Sequence, residues 1–185
     1  MFDLNFKYWL LIETVSDEYL KGLFPKSLLG SGTFAMVYST QDPDIVMRVE
    51  ADMVRKNIKP EFVGQPCEKF MAKPEIQETG GVAKIYKIER RPYDFQDDNK
   101  PLIITYKERV DPDWVDKWYD KYGDKVWELL SAFSSHDKDR ILKKLAEFDD
   151  TEGLTKAVKL GLPLRDLPKE NLGLNKDGQL VVIDC

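Results

Sequence analysis

The chain has 185 residues, enough for one large domain or two small lobes with an ordinary buried core. Its 28 Lys and Arg against 33 Asp and Glu leave a net charge of −5, which argues against general nucleic-acid binding, because neutralising phosphates needs a basic face and no Lys/Arg run is present. No stretch approaches the ~18 apolar residues of a membrane span, and the opening Met1-Phe2-Asp3-Leu4-Asn5-Phe6-Lys7 lacks the basic-then-apolar order of a secretory signal, so a cytoplasmic protein off the membrane is expected. Two cysteines, Cys67 and Cys185, are too few for a disulfide framework or a zinc cluster, and the single His136 has no metal-ligand partner at useful spacing. A bound metal should therefore be hard and oxygen-ligated.

In chain order, residues 1–24 carry large apolar side chains (Phe6, Trp9, Leu10, Leu11, Ile12), and Ser16 is placed to cap a short helix; residues 1–26 read as a flap. From 27 to 49, two β-rich runs flank Gln41-Asp42-Pro43-Asp44, whose Asp and Pro favour a turn. Pro66 suits the first position of a helix, and Pro74 should end or kink that helix. Val82–Glu89 and Pro101–Lys107 form a second pair of strands around a polar loop.

After Asp111-Pro112-Asp113 the period changes. Trp114/Trp118, Val126/Leu129/Leu130/Phe133, Ile141/Leu145/Phe148 and Leu154/Ala157/Val158 recur at helical spacing, so helices dominate from 113 to 160. Leu172-Gly173-Leu174 and Gln179–Ile183 then flank Asn175-Lys176-Asp177-Gly178, a hairpin signal with Gly in the turn. The chain divides into a β-rich part over 27–110 and a helical part over 111–185, joined near Lys107 to Val110.

Four pieces along the chain carry chemistry. Leu29-Gly30-Ser31-Gly32-Thr33-Phe34-Ala35-Met36-Val37-Tyr38 is a glycine-rich strand-turn-strand, whose N–H groups can approach an anion where side chains are missing. Ile45-Val46-Met47-Arg48 ends a strand on a cation, Leu164-Arg165-Asp166-Leu167-Pro168-Lys169-Glu170-Asn171 sets a carboxylate five positions before an amide, and Ile183-Asp184 follows the hairpin. In order and spacing these pieces resemble the protein kinase signature: glycine-rich loop, third-strand basic residue, catalytic loop and metal-binding aspartate. The resemblance covers residues 28 to 185. It implies an α+β, protein kinase-like two-lobed fold with a β-rich N-lobe and a reduced helical C-lobe.

The resemblance further implies that ATP and Mg²⁺ are bound. Gly30, Ser31, Gly32 and Thr33 would cradle phosphates, Val37 and Val46 would cover the adenine, and backbone around Thr105 to Glu108 would meet its edge. Arg48 would contact phosphates and pair with Glu68, with Glu61 and Glu75 as alternatives, Asp166 would orient an acceptor hydroxyl and receive its proton, Lys169 would face the phosphates, and Asn171 and Asp184 would hold Mg²⁺. The chain departs from the pattern at several positions: Ala35 stands for a third glycine, Arg48 for lysine and Leu164 for histidine. Pro168 and Lys169 are exchanged, Gly173 stands where a larger side chain floors the base pocket, and the sequence stops after Asp184 and Cys185. Compact kinase-like proteins of viruses and bacteria are one setting for such a chain. Two functions are expected from these features: a phosphotransferase acting on a protein Ser/Thr or a small molecule, or a pseudokinase that binds a protein partner without phosphate transfer.

Overall fold

The computed structural model describes residues 25–31, 35–51, 70–91, 102–164 and 167–184. Residues 1–24 of the expected flap, and the helix expected from Pro66 up to residue 69, lie outside them, while Lys26 gives its N–H to the Ser39 carbonyl at 2.9 Å. The protein is mixed α+β. Its described residues gather into two compact units, one formed by 25–51 and 85–109 and the other by 70–84 and 110–184.

The first unit is a five-stranded antiparallel sheet. Its strands are β1 (Leu28–Ser31), β2 (Ala35–Ser39), β3 (Ile45–Ala51), β4 (Ile85–Arg91) and β5 (Leu102–Glu108), in the order β1-β2-β3-β5-β4. The run from 27 to 40 is thus split into two strands, with a register irregularity between Leu28 and Gly30. The turn at 41–44 is built by local side chains: Asp42 Oδ1 accepts the Asp44 N–H at 2.8 Å, and the Thr40 hydroxyl donates to the Asp42 and Ile45 carbonyls, both at 2.9 Å. Alternation along the strands sorts the two faces. Ile45, Met47, Ile104 and Tyr106 form a core cluster on one face, with Val49 and Tyr86 against it. Val46, Arg48, Thr105 and Lys107 alternate with those residues and therefore occupy the other face.

The second unit begins with helical residues Phe70 and Met71; the chain turns extended at Lys73, and Pro74 opens a short helix, α1 (Pro74–Gln77). A proline lacks the N–H that a helix interior needs, so it ends one helical piece and starts the next. Val82, expected in a strand with 83–89, instead makes an isolated parallel bridge to Val182, and regular pairing in the sheet starts at Ile85.

Four helices follow: α2 (Trp114–Tyr122), α3 (Lys125–Ser135), α4 (Lys138–Leu145) and α5 (Glu152–Lys159). Each buries the stripe that its spacing anticipates: Trp114 and Trp118, then Val126, Leu129, Ala132 and Phe133, then Ile141 and Leu145, then Leu154, Ala157 and Val158. Leu130 is left half-buried. Asp137 caps α4 by accepting from the Asp139 and Arg140 N–H groups at 3.0 and 3.2 Å. Trp118 stacks on Phe148 with ring centroids 5.1 Å apart, fixing the chain after α4 to α2. The expected hairpin forms from β6 (Leu172–Leu174) and β7 (Leu180–Val182), all six residues buried, with Gly178 at φ 77 in its turn. Asp111 bridges to Leu174 on one side and Val82 to Val182 on the other. Among the described residues no helix is long and apolar enough to cross a membrane.

Candidate functional site

In the first unit the sheet register collects one group of the expected residues. Val37 lies opposite Gly30 on β1 and opposite Arg48 on β3, and Arg48 in turn lies opposite Thr105 on β5. Directly opposed residues of antiparallel strands share a face, so Val37, Arg48 and Thr105 form a row across three strands. Val46 stands two positions from Arg48 on that face, opposite Lys107. Val46 is buried, Val37 and Arg48 are half-buried, and Gly30 and Ser31 are exposed. Among the described residues a Cβ added at Gly30 would meet no atom within 4 Å, so their packing does not demand a glycine there. Gly32, Thr33 and Glu68 lie outside the described residues.

In the second unit the hairpin brings Asn171 and Asp184 together. Lys169–Asn171 form one 3₁₀ turn entering β6, and β7 returns the chain to the same end. There the Asn171 carbonyl accepts the Ile183 N–H at 2.8 Å and the Asp184 N–H at 3.5 Å. Both residues are half-buried. Their side chains supply amide and carboxylate oxygens, the hard donors that suit Mg²⁺, a cation that takes few protein ligands beside phosphate and water. Among the described residues no group of three or more His, Cys, Asp or Glu is gathered as a metal site.

Asp166 and Arg165 lie outside the described residues, but the chain on either side of them is anchored. His136 Nδ1 lies 2.9 Å from the Leu164 carbonyl, and Trp114 Nε1 donates to the Lys169 carbonyl at 2.9 Å. His136 is in the left-handed region, φ 55, at the end of α3. These two supports were not legible as motifs, because one sits 28 and the other 55 positions from its partner. Lys169 itself is exposed, with its Nζ 4.0 Å from Glu170.

Gly173 has a packing reason. A Cβ there would lie 2.8 Å from Val110 Cγ2, 2.9 Å from the Asp111 carbonyl oxygen and 3.1 Å from Ile183 Cδ1. The Asp111–Leu174 backbone pair, bonded at 2.8 and 3.0 Å, holds that carbonyl in place. A larger side chain at 173 has no room.

No family model matches the chain, and no curated protein matches it.

Proposed function

We propose that the protein is an ATP- and Mg²⁺-dependent phosphotransferase of protein kinase-like type, acting on a protein Ser/Thr or a small molecule. The observation that carries this reading is the meeting of Asn171 and Asp184, two residues the motif pattern demands, through the β6–β7 hairpin. The alignment of Gly30, Val37 and Arg48 across β1, β2 and β3 supports it independently.

In this reading the first unit grips the nucleotide. The exposed backbone at Gly30 and Ser31 lies along the phosphates, Arg48 pairs with phosphate oxygens, and Val37 and Val46 cover the base. The second unit carries the acceptor chemistry. Asp166 orients a hydroxyl and takes its proton as that oxygen bonds to the terminal phosphorus and the bond to the leaving diphosphate breaks. Asn171 and Asp184 would hold Mg²⁺, which supplies charge neutralisation for the phosphates. His136 and Trp114 hold the backbone at the two ends of the loop that carries Asp166, a positioning role.

One observation favours the second reading, a pseudokinase acting as a protein-binding inhibitor or scaffold. Lys169, the lysine that the resemblance directs at the phosphates, is exposed and beside Glu170. Labelled nucleotide, Mg²⁺ and a cell lysate separate the two. An acceptor labelled by wild type and lost in Asp166→Asn, with nucleotide affinity retained, is expected of the enzyme. Absence of labelling, with full biological effect retained by Asp166→Asn, assigns the protein to partner binding instead.

A further inference from the structure

Among the described residues two exposed large hydrophobic side chains are aromatic, Trp127 at 52% and Tyr119 at 45%. They form a pair, one ring from α3 and one from α2, with centroids 6.2 Å apart and planes tilted by 53°. The packing of α2 does not use this pair, because its buried stripe is Trp114 and Trp118, with Trp118 stacked on Phe148. Single apolar residues in solvent are ordinary. Two rings brought together from two helices leave a joint apolar face of the kind that binding surfaces use.

Charge decides what covers that face. Asp116 stands three positions before Tyr119 on α2, and Asp124, with helical backbone at φ −63 and ψ −14, stands three before Trp127, so each carboxylate neighbours a ring. Asp120 follows Tyr119 directly, and all three carboxylates are exposed. The Asp124 side chain accepts no cap hydrogen bond from α3. The nearby lysines answer other carboxylates: Lys117 pairs with Asp111, and Lys121 with Asp150 at 2.6 Å. Lys125 faces Glu128, whose carboxyl is held below its ordinary range first by the Lys144 hydrogen bond and then by the charges of Lys144 and Lys125. Carboxylates beside aromatic faces repel phosphate-bearing ligands and attract cations, and the negative face of a ring attracts the same charge.

We propose that the Tyr119–Trp127 face docks an arginine-bearing, basic segment of a partner protein. A guanidinium is planar and weakly hydrated, so it stacks on an indole or phenol ring while its N–H groups reach a carboxylate. Trp and Tyr are also the residues that carry most binding energy at protein interfaces, with Arg as their frequent counterpart. The inference does not depend on the nucleotide reading, because all five residues lie on α2, on α3 and in the turn between them.

The test titrates the full chain into a fluorescent peptide of Arg-Gly repeats, read by anisotropy at low and at high salt. A second peptide carries citrulline for arginine, which keeps the size and plane of the side chain without its charge. Wild type is expected to bind the arginine peptide and not the citrulline one. Trp127→Ala and Tyr119→Ala should each weaken that binding about tenfold or more. Asp116→Asn combined with Asp124→Asn should weaken it too and flatten its salt dependence. Arginine-peptide binding that both ring variants retain in full would assign the attraction to negative charge elsewhere and overturn the proposal. Equal binding of the citrulline peptide would overturn the cationic occupant, and no binding of the arginine peptide would overturn the site. A dimer of wild type in sedimentation that Trp127→Ala abolishes would make a second copy the occupant and overturn the partner assignment. Should the ring variants not fold, the arginine–citrulline comparison on wild type and the paired Asp→Asn variant decide.

Discussion

The backbone carbonyl of Asn171 accepts the N–H of Asp184 at 3.5 Å, so the last strand of the β6–β7 hairpin sets one candidate metal ligand beside the other. Because this contact is between backbone groups, removing the Asp184 carboxylate leaves it intact. Asp184→Ala should therefore still fold and melt cooperatively in the absence of ligand. With nucleotide at a hundredfold excess over Kd, wild type should gain ~2.7 kcal/mol of stability, and Mg²⁺ should be needed for most of it. The variant should lose the Mg²⁺ dependence. Equal calorimetric binding by wild type and Asp184→Ala, with and without Mg²⁺, would remove Asp184 from the site.

The supports of the Asp166 loop make a separate prediction. His136→Gly keeps a residue that tolerates the left-handed backbone at φ 55 and removes the ring nitrogen that contacts the Leu164 carbonyl. Phosphate transfer should fall roughly ten- to a hundredfold, as expected when a reacting group is misplaced, while nucleotide affinity stays unchanged. Trp114→Phe leaves the Lys169 carbonyl without its donor and should cost about 1 kcal/mol of stability as well. A variant that weakens nucleotide binding and transfer in equal measure would show that these residues support the whole unit rather than the loop.

Much of this was legible because the signals are local. Asn175-Lys176-Asp177-Gly178 announces its hairpin through the turn chemistry of four consecutive residues, and the helical stripes from Trp114 to Val158 follow from spacing alone. Pairing between distant segments was not legible. Nothing in Leu102–Glu108 says that this strand inserts between β3 and β4, and nothing in Val82 says that it bridges Val182. Lys107 illustrates the difference: in sequence it ends an apolar run and reads as the start of a connection, whereas the register with Val46 and Ile85 buries it. The local alternation of Thr105 and Lys107 was the available signal, and it identifies a shared face without identifying what else shares it. For the site, motif spacing brought Asn171 and Asp184 to notice, but the anchoring of Leu164 by His136 depends on tertiary packing that no spacing encodes.

Tyr86 predicts an alkaline limb in the stability of the first unit. Its burial, reinforced by the negative charges of Glu108, Asp42 and Asp44, pushes the phenol up to about 12 from its ordinary value of 10.0. The folded state thus holds a proton that the unfolded chain releases near pH 10. The contribution is full below pH 10 and is lost as pH rises toward 12. Denaturant melts between pH 9 and roughly pH 12 should show a fall in stability that is shallower in Tyr86→Phe, and absorbance titration should find a phenolate appearing late in wild type only. A fall of the same steepness in both proteins would assign the alkaline limb to other groups.

Gly153, in the first turn of α5, packs its backbone directly on residues 79–81, and the sign of one substitution tests that contact. In an ordinary helix Gly→Ala stabilises by roughly 1 kcal/mol, because alanine loses less backbone freedom on folding. Here a Cβ would lie 2.6 Å from the Gly80 carbonyl carbon and 2.7 Å from the Thr79 carbonyl oxygen. Those atoms cannot swing aside as a flexible side chain would. Gly81 gives its N–H to the Thr79 hydroxyl at 3.0 Å, and its carbonyl accepts the Val182 N–H at 3.0 Å. Overpacking against backbone should therefore outweigh the helix preference, leaving Gly153→Ala destabilised by about 1–3 kcal/mol and its melting temperature lower by roughly 2–12 °C. Gly81→Ala should do the same or worse, since its Cβ would fall 2.3 Å from the Gly153 carbonyl oxygen. The double variant should cost less than the two single losses added, because both side chains break one contact. A Gly153→Ala protein that melts at or above wild type would show that α5 and the 79–81 turn do not meet backbone to backbone.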